Sequence, residues 1–180
     1  MARLDPLPVE QLSPQQRAVH DRIKGNRPKL GGPFAVMLRN PDLATAASGV
    51  VDALRANGKL DKRIYELVVL TVTRHWSAQY AWAVHEPIAR DLGLPNEAIE
   101  AIKARQRPTA AKPEELLAYD AVAELLAGKV LSQPTYDRLI ERFGLDTTIE
   151  LIATAGLYSM ISTVLNGFDV PTANGEKPFQ

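Results

Sequence analysis

Apolar residues recur at helical spacing along most of the chain, and no segment shows the strict alternation typical of a strand. Residues 113–127 are amphipathic, with leucines and alanines three or four positions apart. Residues 61–76 are apolar on more than one face, which predicts a mostly buried helix. The pattern therefore predicts an all-α fold of about seven or eight helices with short connections. The helices are expected at residues 13–24, 42–57, 61–76, 77–93, 96–104, 113–127, 132–143 and 146–166, with a short helical turn at 34–39.

Local residue types mark several of the expected helix ends. Ser13, with a proline at the next position and Gln16 three positions on, is typical of a capped helix start. Asp61 and Ser77 are expected to cap the two helices that follow them. Pro87 lies inside the second of these helices and is expected to kink it or to break its hydrogen-bond ladder just past His85. Glycines are expected to close helices at Gly58, Gly93, Gly128 and Gly144.

The length and composition favour one globular domain. The chain has 180 residues, and 46% of them are hydrophobic, which is enough for a sizeable core. We therefore expect a single domain over residues 1–180. Residues 1–12 and 169–180 are expected to be extended, loosely ordered tails because they are polar and contain prolines.

Charge and cysteine usage exclude several classes of function. Lys and Arg together number 21, as do Asp and Glu, so the formal net charge is zero, which argues against nucleic acid or an anionic membrane surface as a partner. The chain has no cysteine and so no disulfide or thiolate nucleophile. No apolar leader is present at the N-terminus, and cytoplasm is the expected location. Leu151–Phe168 is uncharged but contains many polar and small residues, which favours a buried helix over a membrane span.

Candidate chemistry concentrates in residues 61–92. Glu66 lies in the mostly apolar helix, where a carboxylate is costly unless it is paired; Arg63, Arg74 or His85 could be its partner. On the next helix, His85 shares a face with Trp82 and two alanines, which leave space beside the imidazole. A glutamate that touches a histidine fixes its tautomer and raises its basicity, which suits proton transfer. From the residues alone, a purely structural polar pair is the commoner outcome.

Other polar residues in this stretch have simpler explanations. Arg74 and His75 end a helix, where positive charge is favourable, and Tyr80 is more often a core aromatic than a substrate contact. His20 has no evident partner and is expected at the surface. The three histidines lack metal-ligand spacing, so no metal site is expected. No glycine-rich phosphate loop follows a strand, and no serine lies in a nucleophile elbow.

A series of short motifs runs through most of the chain. They are Arg63-Ile64-Tyr65-Glu66-Leu67, Thr73-Arg74-His75-Trp76, Gln79-Tyr80-Ala81-Trp82-Ala83-Val84-His85, Ala89, Gly93-Leu94 and the closing Leu165-Asn166-Gly167-Phe168. These motifs resemble the carboxymuconolactone decarboxylase family, which is related to the alkyl hydroperoxidase D group. The resemblance implies an AhpD-like all-helical fold and homo-oligomers, often trimers or hexamers.

The resemblance also implies which branch of this superfamily the chain is similar to. The peroxidase branch carries a glutamate, eleven residues, and then Cys-x-x-Cys-x-x-x-His. On this chain the glutamate falls on Glu66, the histidine on His85, and the two cysteine positions on Ala78 and Ala81. A thiol peroxidase needs its cysteines, so that activity is not expected. The decarboxylase branch, which does not need them, resembles this chain better.

For the decarboxylase branch the resemblance implies a reaction without a cofactor on a small carboxylated lactone, 4-carboxymuconolactone in the type reaction. His85 is then expected to be the general acid or base, and Glu66 its orienting partner. Arg74 is the first candidate for binding the substrate carboxylate, with Tyr80 and Trp82 as further pocket residues. The alternative is a non-redox binding or scaffold protein that keeps the fold without catalysis.

Overall fold

The computed structural model describes residues 3–25, 30–128 and 130–179, and within these ranges the regular structure is entirely helical. The predicted all-α fold is thereby confirmed. A 3₁₀ turn, Val9–Gln11, and a π-helical turn, Asp52–Ala56, accompany the α-helices. The helices are α1 Pro14–Lys24, α2 Gly32–Met37, α3 Pro41–Val51, α4 Lys62–His75, α5 Gln79–Asp91, α6 Asn96–Lys103, α7 Pro113–Leu126 and α8 Gln133–Gly167.

Helix α4 is the centre of the fold. It packs against α5, α6, α7 and α8, and every residue from 64 to 73 is buried. The carboxylate of Asp61 accepts hydrogen bonds from the backbone N–H groups of Arg63 and Ile64, as expected for its N-cap. An apolar helix enclosed on all sides requires a partner for each polar side chain on it, which makes Glu66 the critical residue of α4.

Some expected helix ends are confirmed, and those at Ser77 and Gly58 are wrong. Ser13 forms a full capping box with Gln16. Ser77 does not cap α5, because it has a positive φ of 51° and the helix begins at Gln79. Its hydroxyl instead accepts hydrogen bonds from Arg74 and Arg105. Pro87 lies within α5, and the helix continues past it to Asp91.

The end of α3 also differs from the expectation. The predicted helix over 42–57 changes to the π-helical turn after Val51, and Gly58 does not adopt the positive φ of a left-handed cap. Gly58 is required for another reason: a Cβ at this position would lie 2.3 Å from the carbonyl oxygen of Leu54. Beside Gly58, the Glu150 carboxylate accepts hydrogen bonds from the backbone N–H groups of Lys59 and Leu60.

The C-terminal part of the chain packs against the rest of the fold. α8 is broken at Gly144, which has a φ of 74°, in agreement with the two predicted helices. α8 is long and apolar enough to cross a membrane by length and composition alone, and half of its most apolar window is buried within the fold. After α8, Phe179 returns to α5, where its backbone exchanges two hydrogen bonds with the Gln79 side chain. His20, expected at the surface, is buried beside Asp21.

Replacement of Gly58 tests the close approach at the start of α4. We expect Gly58→Ala to lower the free energy of unfolding by about 1–3 kcal/mol, because the added Cβ meets backbone rather than a movable side chain. Gly49→Ala is the matched control: Gly49 lies inside α3 with open space around it, and alanine there should stabilise by about 0.5–1 kcal/mol. Urea unfolding of both variants measures the difference, and an unchanged Gly58→Ala variant would contradict the steric argument.

Candidate active site

The centre of the candidate site is a hydrogen bond between Glu66 on α4 and His85 on α5. Oε2 of Glu66 lies 2.6 Å from Nδ1 of His85. Both residues are buried, with 2% and 6% of their surfaces exposed. Of the three partners considered for Glu66 from the sequence, the structure therefore selects His85. Arg63 instead forms an ion pair of 2.7 Å with Glu115, which is also buried.

Two tyrosines extend this pair into a longer chain of hydrogen bonds. The hydroxyl of Tyr158, on α8, lies 3.2 Å from Nε2 of His85, and the hydroxyl of Tyr65 lies 3.2 Å from that of Tyr158. The phenol rings meet edge to face, as do those of Tyr158 and His85. The chain thus joins α4, α5 and α8 through groups that are all buried.

The available protons fix which group donates and which accepts in each of these hydrogen bonds. Glu66 as a carboxylate can only accept, so Nδ1 of His85 carries the proton and donates to it. Nε2 of the neutral ring then accepts from the Tyr158 hydroxyl, and the oxygen of that hydroxyl accepts from Tyr65. Each donor and acceptor between Tyr65 and Glu66 is satisfied. The arrangement therefore holds His85 in the tautomer whose free lone pair lies on Nε2.

The surroundings of the two tyrosines favour their protonated, neutral forms. Burial raises the pKa of Tyr158 well above its ordinary value of 10.0, and the neighbouring Tyr65 and the charge of Glu66 raise it further. Burial also raises the pKa of Tyr65, although its hydrogen bond to Tyr158 and the charge of Arg55 lower it in part. Both phenols therefore keep their protons at neutral pH. Arg55, in the π-helical turn, lies 3.9 Å from Oε1 of Glu66 and supplies the nearby positive charge.

Two of the three predicted substrate-binding residues lie on α5 but do not contact His85 through any described hydrogen bond. Trp82 is fully buried, donates its indole N–H to Glu86 over 2.7 Å, and packs against Phe179. Tyr80 packs against the start of α2, where a Cβ on Gly32 would lie 2.5 Å from its ring.

The third predicted residue, Arg74, lies at the other end of α4. It is eight positions from Glu66, which corresponds to about 12 Å along the helix axis. Its Nε donates to the carbonyl of Lys103, its Nη1 lies 3.1 Å from the Ser77 hydroxyl, and its guanidinium stacks on Phe179. A substrate-binding role for Arg74, Tyr80 and Trp82 stays a prediction.

Sequence reasoning missed three members of the site. Tyr158 lies in the uncharged stretch for which the sequence predicts only a buried helix, and its hydroxyl is the clearest missed signal because a buried phenol needs a partner. Tyr65 precedes Glu66 directly and was treated only as part of a motif. Arg55 lies in the π-helical turn, whose backbone no sequence pattern indicated.

Two cavities in the described part of the chain are lined by residues other than His85. One, of about 500 Å³, lies between α1, α2 and α3 next to Ile23 and Phe34. The other, of about 260 Å³, lies between α4, α6 and α7 next to Arg74 and Arg105. Among the described residues, no group of three or more His, Cys, Asp or Glu side chains could hold a metal ion.

Comparison with known proteins confirms the family resemblance. Residues 41–124, which include Glu66 and His85, match the carboxymuconolactone decarboxylase family. No curated protein sequence matches the chain.

Solved structures confirm the AhpD-like fold. An uncharacterized peroxidase-related protein with an alkylhydroperoxidase AhpD core, from Ralstonia eutropha JMP134, matches with a TM-score of 0.81 and 15% identity over 96% of this chain and 93% of its own. An uncharacterized peroxidase-related protein from Silicibacter sp. TM1040 matches with a TM-score of 0.78 and 16% identity, over 99% and 96% of the two chains. A cysteine-to-alanine variant of the debrominase Bmp8, in complex with 2,3,4-tribromopyrrole, matches with a TM-score of 0.76 and 17% identity, over 97% and 95%.

The hydrogen bonds of Tyr158 and Tyr65 can be tested by removing one hydroxyl group at a time. Tyr158→Phe leaves both Nε2 of His85 and the Tyr65 hydroxyl without a partner, and should lower the free energy of unfolding by about 1–3 kcal/mol. Tyr65→Phe keeps the bond between Tyr158 and His85 and should cost less. Urea unfolding at neutral pH measures both variants, and equal or inverted losses would contradict the assigned chain.

The raised pKa of Tyr158 also predicts a pH dependence of stability. The unfolded phenol ionises near its ordinary value of 10.0, whereas the folded phenol keeps its proton to higher pH. The unfolded state therefore loses protons first, and stability should fall as pH rises above about 10. We expect a smaller fall for Tyr158→Phe than for the native protein when urea unfolding is compared from about pH 9 to about pH 11. Identical slopes would show that Tyr158 ionises in the fold as it does in the unfolded chain.

Proposed function

Because residues 41–124 match the carboxymuconolactone decarboxylase family, we propose that the chain is a cofactor-independent carboxy-lyase acting on a small carboxylated lactone. The observation that carries this proposal is the buried hydrogen bond of 2.6 Å between Glu66 and His85. A carboxylate in this position stabilises the imidazolium form of the ring, which is the form that delivers a proton. His85 is the general acid or base, and Glu66 is its orienting partner.

The reaction is balanced without a metal or an organic cofactor. The bond between the carboxylate carbon and the lactone ring breaks, CO₂ leaves, and the electron pair moves into the conjugated lactone carbonyl to form an enolate. His85, after taking a proton from solvent, donates it from Nε2 to carbon and returns to the neutral state. Arg55 offsets the charge of Glu66 through this cycle from 3.9 Å away.

Tyr158 is the positioning residue in this mechanism. Its hydroxyl is hydrogen-bonded to Nε2, the nitrogen that would face the substrate. Substrate approach therefore requires the hydroxyl to give up this bond, and the raised pKa of Tyr158 keeps it a neutral donor that can then bind the substrate instead. The small exposed fraction of His85, 6%, agrees with a site that opens only when a ligand enters.

A second candidate function rests on the same geometry. Both ring nitrogens of His85 have partners within the fold, and only 6% of the surface of His85 is exposed. These observations favour a non-redox binding or scaffold protein in which the hydrogen-bond chain is structural. A thiol peroxidase is excluded by the absence of cysteine. The proposal also includes assembly of the protein into a homo-oligomer, trimeric or hexameric, and its location in the cytoplasm.

The lyase proposal predicts release of CO₂ from 4-carboxymuconolactone, together with loss of its ultraviolet absorbance. His85→Ala should lower turnover by at least about 10²-fold, since the acid–base group is lost. Glu66→Gln should also slow turnover, because the neutral amide stabilises an imidazolium less well than a carboxylate does.

His20→Gln is the matched control, a buried histidine on α1 that pairs with Asp21, and its turnover should equal that of the native protein. No turnover by a folded native oligomer would reject this substrate and favour the scaffold function. Equal losses in the His85 and His20 variants would show that the effect is on folding rather than on chemistry.

A further inference from the structure

We propose that the cavity between α4, α6 and α7 is a second binding site, separate from His85, for a small organic carboxylate with an apolar body. The cavity measures about 260 Å³, which is close to the lower end of the range for small-molecule pockets. Its lining combines two arginines and a histidine with apolar walls and one tyrosine. The lining residues are Thr71, Arg74, His75, Ile102, Arg105 and Tyr119, together with apolar residues at the end of α7.

The two arginines converge on one neutral group. Nη1 of Arg74 lies 3.1 Å and Nη2 of Arg105 2.9 Å from the hydroxyl oxygen of Ser77. Among the described residues, neither guanidinium has a carboxylate partner. Two positive charges held on one hydroxyl repel each other, and an anion between them would relieve that repulsion.

The unusual backbone at the site supports the same conclusion. Ser77 and Arg105 both have positive φ, of 51° and 60°, so both sides of this cationic cluster sit in a conformation that non-glycine residues adopt rarely. Burial lowers the pKa of both Arg74 and His75, and the charge of Arg105 lowers each further. A bound carboxylate would stabilise Arg74 and His75 in their charged forms.

Nearby carboxylates are already engaged elsewhere. Asp120, which follows Tyr119 on α7, accepts two hydrogen bonds from Arg107, of 2.6 and 2.8 Å. Glu86 binds Trp82 and Arg90. Neither of these two carboxylates is paired with Arg74 or Arg105.

The apolar walls decide which anion fits. Ile102, Ala123 and Leu126 face the cavity and offer no hydrogen bonds, so inorganic phosphate or sulfate would leave most of its oxygens without donors. A monocarboxylate can place its charged end between the guanidinium groups and its hydrocarbon body against the walls. Bidentate binding by an arginine adds geometric selectivity for the planar carboxylate.

This site and the His85 site lie on different sides of α4. Thr71, which faces the cavity, is five positions from Glu66, a rotation of about 140° around the helix. The inference therefore does not depend on the proposed lyase activity: a protein without turnover can still bind a carboxylate here.

The test is a titration of the full chain with sodium benzoate, followed by NMR of the arginine side-chain N–H groups and the alanine methyls. We expect saturable shifts at Arg74, Arg105 and Ala123, and none with the neutral isostere benzamide. Arg105→Gln should weaken the apparent Kd at least about tenfold, because one charged partner is lost. Ala123→Phe, which fills the cavity and keeps the charges, should abolish the shifts.

Arg107→Gln is the control, since Arg107 is a nearby surface arginine that pairs with Asp120 and does not line the cavity. Its benzoate affinity should equal that of the native protein at constant ionic strength. Equal weakening in the Arg105 and Arg107 variants would overturn the proposal by reducing it to general electrostatics. Absence of a saturable shift, or shifts at His85 and Tyr158 in place of Arg105, would overturn it as well.

Discussion

The rest of the structure depends on one energetically unfavourable feature, the carboxylate of Glu66 buried in the central helix α4. Glu66 has 2% of its surface exposed and is surrounded by apolar residues of α4. An isolated buried carboxylate costs several kcal/mol, so its position requires a close partner with complementary hydrogen bonding. His85 supplies that partner at 2.6 Å, and Arg55 supplies charge from the solvent side. The packing of α5 against α4 must therefore hold these two side chains in one geometry.

The hydrogen bonding extends beyond Glu66 and His85. Because His85 has a second nitrogen, its partner Tyr158 ties the third helix, α8, into the same chain, and Tyr65 returns the chain to α4. Such a network is favourable when every member is satisfied and expensive when one is missing. In the proposed mechanism, the same bonds serve a structural role and a catalytic role. A substrate that replaces one of them would then reach a nitrogen that can exchange a proton.

The parts of this arrangement that depend on local periodicity could be predicted from the sequence. The apolar faces of α4 and α7, the capping box at Ser13 and the break at Gly144 follow from short-range patterns. The pairing of Glu66 with His85 was one of several alternatives, and the motifs shared with the family favoured it. Tyr158 could not be identified, because its contact with His85 spans 73 positions and depends on how α8 crosses α5. The expectations for Gly58 and Ser77 are wrong for a similar reason, since a close approach and a shared hydroxyl are tertiary features.

The protonation of the His85 ring tests the central claim most directly. ¹⁵N NMR of the imidazole at neutral pH distinguishes the two neutral tautomers, and Tyr158→Phe identifies the nitrogen that faces the phenol. The account predicts a proton on Nδ1 and an unprotonated Nε2 that accepts a hydrogen bond from Tyr158. A proton on Nε2 with an unprotonated Nδ1 would contradict it, because Glu66 could then not be a carboxylate hydrogen-bonded to this ring.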